Sequence, residues 1–257
     1  AIRYSELAAL APDRATRASL LQQATDAIQE AIQLYRKLAL PADLASSLNN
    51  AAIRYSELAA LAPDQATRAA RLQQALQACE EAIRIRRQLA LPADLAASLN
   101  NAATFYSELA ELAPDRATRA ARLQQATDAI QEAIQLYRQL ALPANLASSL
   151  NNAAIRYSEL AAAEADAARK KAWLREALAA INEATGLFRA AGIYRYLALA
   201  LQNAVLTHAA LEEVGEWDVA ALRALCDEGI AVCASLEDEA RLRFFREMRD
   251  KLGEEKA

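Results

Sequence analysis

Residues 44–64 read LASSLNNAAIRYSELAALAPD. Nearly the same text returns at residues 95–115 and, with a changed ending, at residues 146–166. Tyr4, Tyr55, Tyr106 and Tyr157 stand 51 residues apart each time, and residues 2–52 differ from residues 104–154 at only seven positions. A fixed period of this length marks a stacked array, in which no unit can bury its apolar side alone and each must cover its neighbour.

The repeated unit reads as two helices. At about 100° per residue, Leu48, Ala51, Ala52, Tyr55 and Ala59 share one face of a first helix over residues 41–62. The other face carries Ser46, Asn49, Asn50, Ile53, Arg54 and Glu57. The seam is made of small residues, so a neighbouring helix can come close. Ala-Pro-Asp at residues 62–64 breaks this helix. Pro63 cannot continue the hydrogen-bond ladder, and Asp64 suits the start of the next helix as a cap or as a charge near the positive dipole end. The second helix, over residues 64–89, spaces Leu72, Ala75, Leu76, Cys79, Ala82, Ile83 and Leu89 by threes and fours. Leu91-Pro92 ends it and opens the next unit.

The period outlasts the text. His208 follows Tyr157 by 51, as Asn203 follows Asn152 and Leu201 follows Leu150. Residues 194–214 therefore read as another first helix, with a shorter partner over residues 217–236. A charged last helix over residues 238–252, bearing Phe244, Phe245 and Met248, reads as a cap on the end of the stack. The expected organisation is one solenoid over residues 1–257. Its repeats are a partial one at 1–40, then 41–91, 92–142, 143–193 and 194–236, and a capping helix at 237–253 closes it. The first residue is Ala and falls inside a repeat, which suggests a fragment of a longer protein.

Composition fits this reading. The chain is rich in helix formers and holds only five Gly and six Pro in 257 residues. Its net charge is −4 with both signs interspersed, so no run of one sign is available to grip nucleic acid or anionic lipid. The apolar stretch from Tyr196 is interrupted by Gln202, Asn203 and His208, which makes it a buried helix and not a membrane span. Three cysteines are too few for a disulfide framework and point to a reducing, cytoplasmic setting.

These residues resemble the tetratricopeptide repeat family, which spaces a large residue, two small ones and an aromatic down its first helix, as Leu48, Ala51, Ala52 and Tyr55 do. The second helix spaces small, large, small, as Ala75, Cys79 and Ala82 do. The phrase SLNNAAIRY is similar to the variant in kinesin light chains and in bacterial signalling ATPases and caspase-like effector proteins. The resemblance implies an all-α, right-handed superhelical solenoid of antiparallel helix pairs. This chain departs from the family in length. The stretch from Tyr55 to Ala75 is longer by about eleven residues, roughly 16 Å of helix. A long second helix in each repeat is expected, with a short third helix as the alternative.

The resemblance also implies a concave groove lined by the first helices. It would place Asn49, Asn50, Ile53, Arg54 and Glu57 there, with Asn100, Asn101, Phe105 and Glu108, then Asn151, Asn152, Arg156 and Asn203. The residue types suit the task. An amide donates and accepts at once, so it can pair with any peptide backbone, and an extended peptide passes roughly three residues per repeat. Arg54 and Glu57 would select side chains. The structural alternative is that Asn50 bonds the neighbouring repeat and sets its register. Between the first and third copies the first helix changes at Ile2/Thr104, Arg3/Phe105 and Ala9/Glu111, all on the groove face.

Little else suggests chemistry. His208, the one histidine, replaces the repeating tyrosine and reads as a core residue, and Cys79 stands where other copies have Ile28 and Ile130. Cys226 and Cys233 are roughly 10 Å apart along one helix, beyond disulfide reach. Glu80, Glu81, Arg84 and Arg87 read as a solvated outer face, and Trp173 and Trp217 as packing residues. No zinc spacing, phosphate loop or catalytic constellation is present, so no metal, cofactor or enzymatic activity is expected. The expected function is a non-catalytic recognition module for a peptide or partner domain within a larger signalling protein. The alternative is a spacer or self-assembly scaffold acting through the extended second helices. An RNA-reading repeat is disfavoured by the acidic charge and long period.

Overall fold

The computed structural model of the chain describes residues 2–216 and 218–254. Among them are eleven α-helices and no strand. They form two compact units, Ala1–Leu136 and Tyr137–Ala257. The first holds α1 (Ile2–Ala9), α2 (Arg14–Lys37), α3 (Pro41–Ala60), α4 (Gln65–Gln88), α5 (Pro92–Glu111) and most of α6 (Arg116–Gln139). The second holds the last turn of α6, then α7 (Pro143–Ala163), α8 (Ala167–Ala190), α9 (Tyr194–Glu212), α10 (Val219–Ser235) and α11 (Glu239–Glu254). The architecture is all-α, a helical repeat of consecutive antiparallel pairs.

Each boundary is set by the same few residues. Proline occupies the first turn of α3, α5 and α7, where its missing N–H would have no partner anyway. Asp13, Asp64 and Asp115 cap α2, α4 and α6. One carboxylate oxygen accepts the backbone N–H of Thr16, Thr67 or Thr118 at 2.7–2.8 Å, and the other accepts that threonine's hydroxyl. Each 24-residue second helix is followed by a residue in the left-handed conformation: Ala39 (φ 52°), Ala90 (φ 51°), Ala141 (φ 52°) and, after α8, Gly192 (φ 66°). The backbone closes there with the paired bonds of a Schellman turn, such as Leu40 N–H to Tyr35 O and Ala39 N–H to Arg36 O.

The extra residues of the period build helix, and among the described residues no third helix forms within a repeat. They are shared, however. The first helices α3 and α5 have 20 residues and the second helices α2, α4, α6 and α8 have 24, so the second exceeds the first by only four residues, about 6 Å. The shorter α10 has 17 residues and starts at the Asp218 cap.

The seam packs as the spacing requires. Ala45, Leu48, Ala51, Ala52 and Tyr55 of α3 are buried, as are Leu72, Ala75, Leu76, Cys79, Ala82 and Ile83 of α4. Taking one such leucine out of water is worth about 1.5–3 kcal/mol, and alanines at the contact let the axes approach to about 8–10 Å. α11 lays Leu242, Phe245 and Leu252 inward and turns Arg243, Arg246 and Glu247 to solvent.

Charges on the second helices do more than solvate them. Arg36 bonds Glu81 at 2.7 Å, Arg87 bonds Glu132 at 2.5 Å, Arg138 bonds Glu183 at 2.5 Å and Arg189 bonds Glu228 at 2.8 Å. In each case an arginine in the last turns of one second helix reaches a glutamate on the following second helix. Glu80 is engaged too, accepting the Tyr106 hydroxyl at 2.6 Å. The outer face is therefore stitched from copy to copy. Each exposed bridge contributes at most about 1 kcal/mol.

Candidate functional site

Asn49, Asn101, Asn151 and Asn203 do not stand free. Asn49 Oδ1 accepts from Asn101 Nδ2 at 3.2 Å and from the Ser98 hydroxyl at 2.9 Å. Ser98, fully buried, in turn accepts Arg86 Nη1 at 2.5 Å, and the same nitrogen donates to the Asp94 carbonyl at 2.9 Å. In the second unit Asn203 Nδ2 donates to Asn151 Oδ1 at 2.9 Å. The rule is the same in both units: the first asparagine of one copy accepts from the second asparagine of the next. A half-buried amide left without a partner would cost about 1–3 kcal/mol, so these bonds fix the register of neighbouring copies.

The other site residues divide sharply. Asn50 is exposed, and Asn100, Asn101, Asn152, Asn203, Ile53 and Glu108 are half-buried. Arg54 pairs with Glu57 at 2.8 Å and Arg156 with Glu159 at 3.3 Å, one turn along the same helix. These charges engage one another, and burial raises the Glu57 carboxyl above its usual range despite Arg54 and Arg17. Two residues expected on the open face are not on it. Phe105 is 3% exposed, because this register position is largely enclosed, as the low side-chain exposure of Arg54 (20%) and Arg156 (12%) also shows, and a hydrocarbon ring there gains by leaving water. Asn151 is 5% exposed, sealed by its bond to Asn203. Trp217 lies outside the described residues, as do the side chains of Ile2 and Arg3.

One stretch of the first-helix face is open. In α9 the register positions of Arg54 and Glu57 are held by Thr207 and Ala210. Without that ion pair a trough of about 340 Å³ forms between α7 and α9. Ile155 and the half-exposed Leu206 stand on its walls, Asn203 lines it, and Lys170 bonds Glu213 at 2.9 Å along its rim. The sequence reading missed Leu206, Thr207 and Ala210, although counting 51 residues from Arg156 and Glu159 would have found the substitution. In the first unit a cleft of about 520 Å³ runs between α4 and α6 over Ile83, Leu99 and Tyr106. The Arg87–Glu132 bridge lies along its edge.

The remaining reactive groups are occupied in packing. The Cys79 thiol is fully buried and donates to the Ser98 carbonyl, and burial pushes its pKa up to about 12. Burial also pushes Cys226 up to about 11. Thiols held so far above neutral pH are poor nucleophiles. His208 is buried, which lowers its pKa, and Trp173 stacks on Tyr157 with centroids 5.8 Å apart. Among the described residues no cluster of His, Cys, Asp or Glu could hold a metal ion, and no helix is long and apolar enough to cross a membrane.

No protein-family model matches the sequence, and no curated protein matches it. Solved structures do. A de novo designed helical repeat protein, DHR81, aligns with a TM-score of 0.54 at 18% identity, over 77% of this chain and 93% of that one. A circular tandem repeat protein of novel repeat topology aligns at 0.46 and 15%, over 98% and 69%. BtubC (BKLC) from P. vanneervenii aligns at 0.41 and 16%, over 90% of each chain. At these identities the likeness is one of architecture, a helical repeat.

Proposed function

We propose that the chain is a non-catalytic recognition module whose first helices receive a peptide or a partner domain. The observation that carries this reading is the trough between α7 and α9, where two small residues stand in place of the ion pair of α3 and α7 and leave apolar walls open. A leucine-sized side chain of a partner would fill it, with the Asn203 amide close enough to meet that partner's backbone. The spacing of Leu48, Ala51, Ala52 and Tyr55 supports a place among tetratricopeptide-type repeats; the phrase SLNNAAIRY supports the variant of kinesin light chains and bacterial signalling proteins, and the three free cysteines suit a cytoplasmic setting. Assembly through the second helices has less support, because their bridging charges are already spent between copies.

The test restores what α9 lacks. A displayed peptide library is selected on the native chain and on the variant Thr207→Arg/Ala210→Glu. That variant rebuilds the Arg–Glu pair of α3 and α7, and because Thr207 is buried its circular dichroism and melting temperature are matched to the parent before affinities are compared. Selected peptides should lose at least tenfold in affinity for the variant, since excluding one buried aliphatic side chain forfeits about 1.5–3 kcal/mol. Equal affinity for both proteins would reject the trough as the site.

A further inference from the structure

The cleft between α4 and α6 carries a charge that its register lacks elsewhere. Glu80 lines it, and the same position holds Gln29, Gln131 and Asn182 in the other copies. The exchange alters what the neighbouring tyrosine does. Gln29 donates its amide to the Tyr55 hydroxyl at 2.5 Å, and Tyr55 is 9% exposed. An ionised Glu80 has no proton to give, so the bond reverses and the Tyr106 hydroxyl donates to it at 2.6 Å. Tyr106 is only half-buried, and it borders the cleft.

The floor and the rim of the cleft differ in chemistry. Ile83, Leu99, Ala102 and Ala129 make the floor apolar. The rim carries the carboxylates of Glu80, Asp128 and Glu132 and the cations Arg84 and Arg87. Both cations are engaged: Arg87 bonds Glu132 at 2.5 Å, and Arg84 approaches Glu81 at 4.0 Å. Arg122, 5.9 Å from the Tyr106 ring centre, bonds Gln125 at 3.2 Å. Among the described residues, Glu80 and Asp128 take neutral donors only, the Tyr106 hydroxyl and the Gln124 amide. The balance of charge therefore favours a cation, and the floor favours hydrocarbon. Lysine and arginine offer both, an aliphatic stem and a charged tip. We infer that this cleft receives a lysine or arginine side chain of a protein partner, its stem over Ile83 and Leu99 and its cationic head on Glu80. Asp128 supplies a second carboxylate from the α6 side. No existing bond has to break, because Glu80 keeps the Tyr106 hydroxyl on one oxygen and offers the other. The cleft lies between second helices and the trough between first helices, so the two sites stand or fall separately.

The test selects a displayed library of linear peptides on the full chain. Clones that still bind Thr207→Arg/Ala210→Glu are kept, which sets aside binders of the trough. The kept sequences should share a lysine or arginine beside aliphatic residues. In a synthetic copy of the strongest clone, norleucine in place of that residue removes the charge and keeps a stem. Affinity measured by isothermal titration calorimetry should fall about three- to fivefold, the range of an exposed ion pair, and by less in high salt. Glu80→Gln should cost the unsubstituted peptide the same factor. It gives α4 the residue that α2 and α6 carry, so its melting temperature stays with the parent's. Against Glu80→Gln the norleucine swap should cost nothing further, which ties the two charges to each other. The inference is overturned if no clone survives the trough variant, or if the kept sequences share no basic residue. Full affinity for Glu80→Gln overturns it too, as does a norleucine loss that is undiminished in that variant. A shared aspartate or glutamate also overturns it, and gives the cleft to Arg84 and Arg87.

Discussion

Three alanines hold a backbone conformation that suits glycine better. Ala39, Ala90 and Ala141 have φ near +50°, and the fourth copy places Gly192 at the same register. An L-residue in the left-handed region costs about 1–2 kcal/mol, because Cβ crowds the following carbonyl. Replacing it with glycine removes that cost, but frees the unfolded chain by about 0.4–1 kcal/mol. The net gain is about 0.5–1 kcal/mol per site. The three sites lie in separate turns with no shared partner, so their effects should add to about 2 kcal/mol. For a chain of this size each kcal/mol moves the midpoint by about 2–4 °C, so Ala39→Gly/Ala90→Gly/Ala141→Gly should melt about 4–8 °C higher. Differential scanning calorimetry reads the shift directly. Gly192→Ala is the reverse experiment and should lower the midpoint by a single site's share. A triple variant that melts no higher than the parent, alongside an unaffected Gly192→Ala, would refute the claim that these turns are strained.

Other consequences are as direct. Phe105→Ala should destabilise by about 3–5 kcal/mol in urea titration, since the ring is 3% exposed; a surface residue would cost under half a kcal/mol. A double-mutant cycle on Arg87 and Glu132 should give a coupling below about 1 kcal/mol that shrinks in high salt, as for an exposed pair 2.5 Å apart. In the native protein none of the three cysteines should react with a thiol reagent within minutes, because all are buried; reaction should begin at the unfolding midpoint. The caps Asp13, Asp64 and Asp115 have their pKa lowered by the threonine bonds, backbone N–H first. The folded state therefore binds their protons less readily than the unfolded state. Their contribution is present above the unfolded value near 3.8 and is lost as pH falls through the lower folded value. Asp64→Ser, which keeps a cap but does not titrate, should flatten the fall in melting temperature as pH drops below the unfolded value near 3.8.

The helices and their order were legible because the period repeats every punctuation mark: Pro41 and Pro92 open first helices, and Asp64 and Asp115 cap second ones. The seam was legible for the same reason, since Leu48, Ala51 and Tyr55 recur in register. What the text could not give was how one copy touches the next. Whether Asn49 faces a ligand or Asn101 depends on the lateral offset between helices, which helical periodicity leaves undefined. Arg36 and Glu81 are 45 residues apart, too far for any local rule to pair them. Phe105 was assigned to the open face because its position follows from the wheel. Its burial follows from how far that position is enclosed, which Arg54 and Arg156 at the same register also show and which the wheel ignores. The trough was readable in principle at Thr207 and Ala210, but only by comparing copies position by position.

The joins at Asn49–Asn101 and Asn151–Asn203 use the same two amides at the same offset, so they carry no address. A stretch of chain that has unfolded locally meets several equivalent docking partners, on its own molecule and on others nearby, and every one satisfies the same hydrogen bonds. Kinetic errors of this sort, in which copies skip a place or exchange between molecules, are the hazard of text repeated so closely. The diverged last copy, with Thr207, His208 and Ala210 at positions where no other copy has those residues, supplies a landmark from which correct order can be counted.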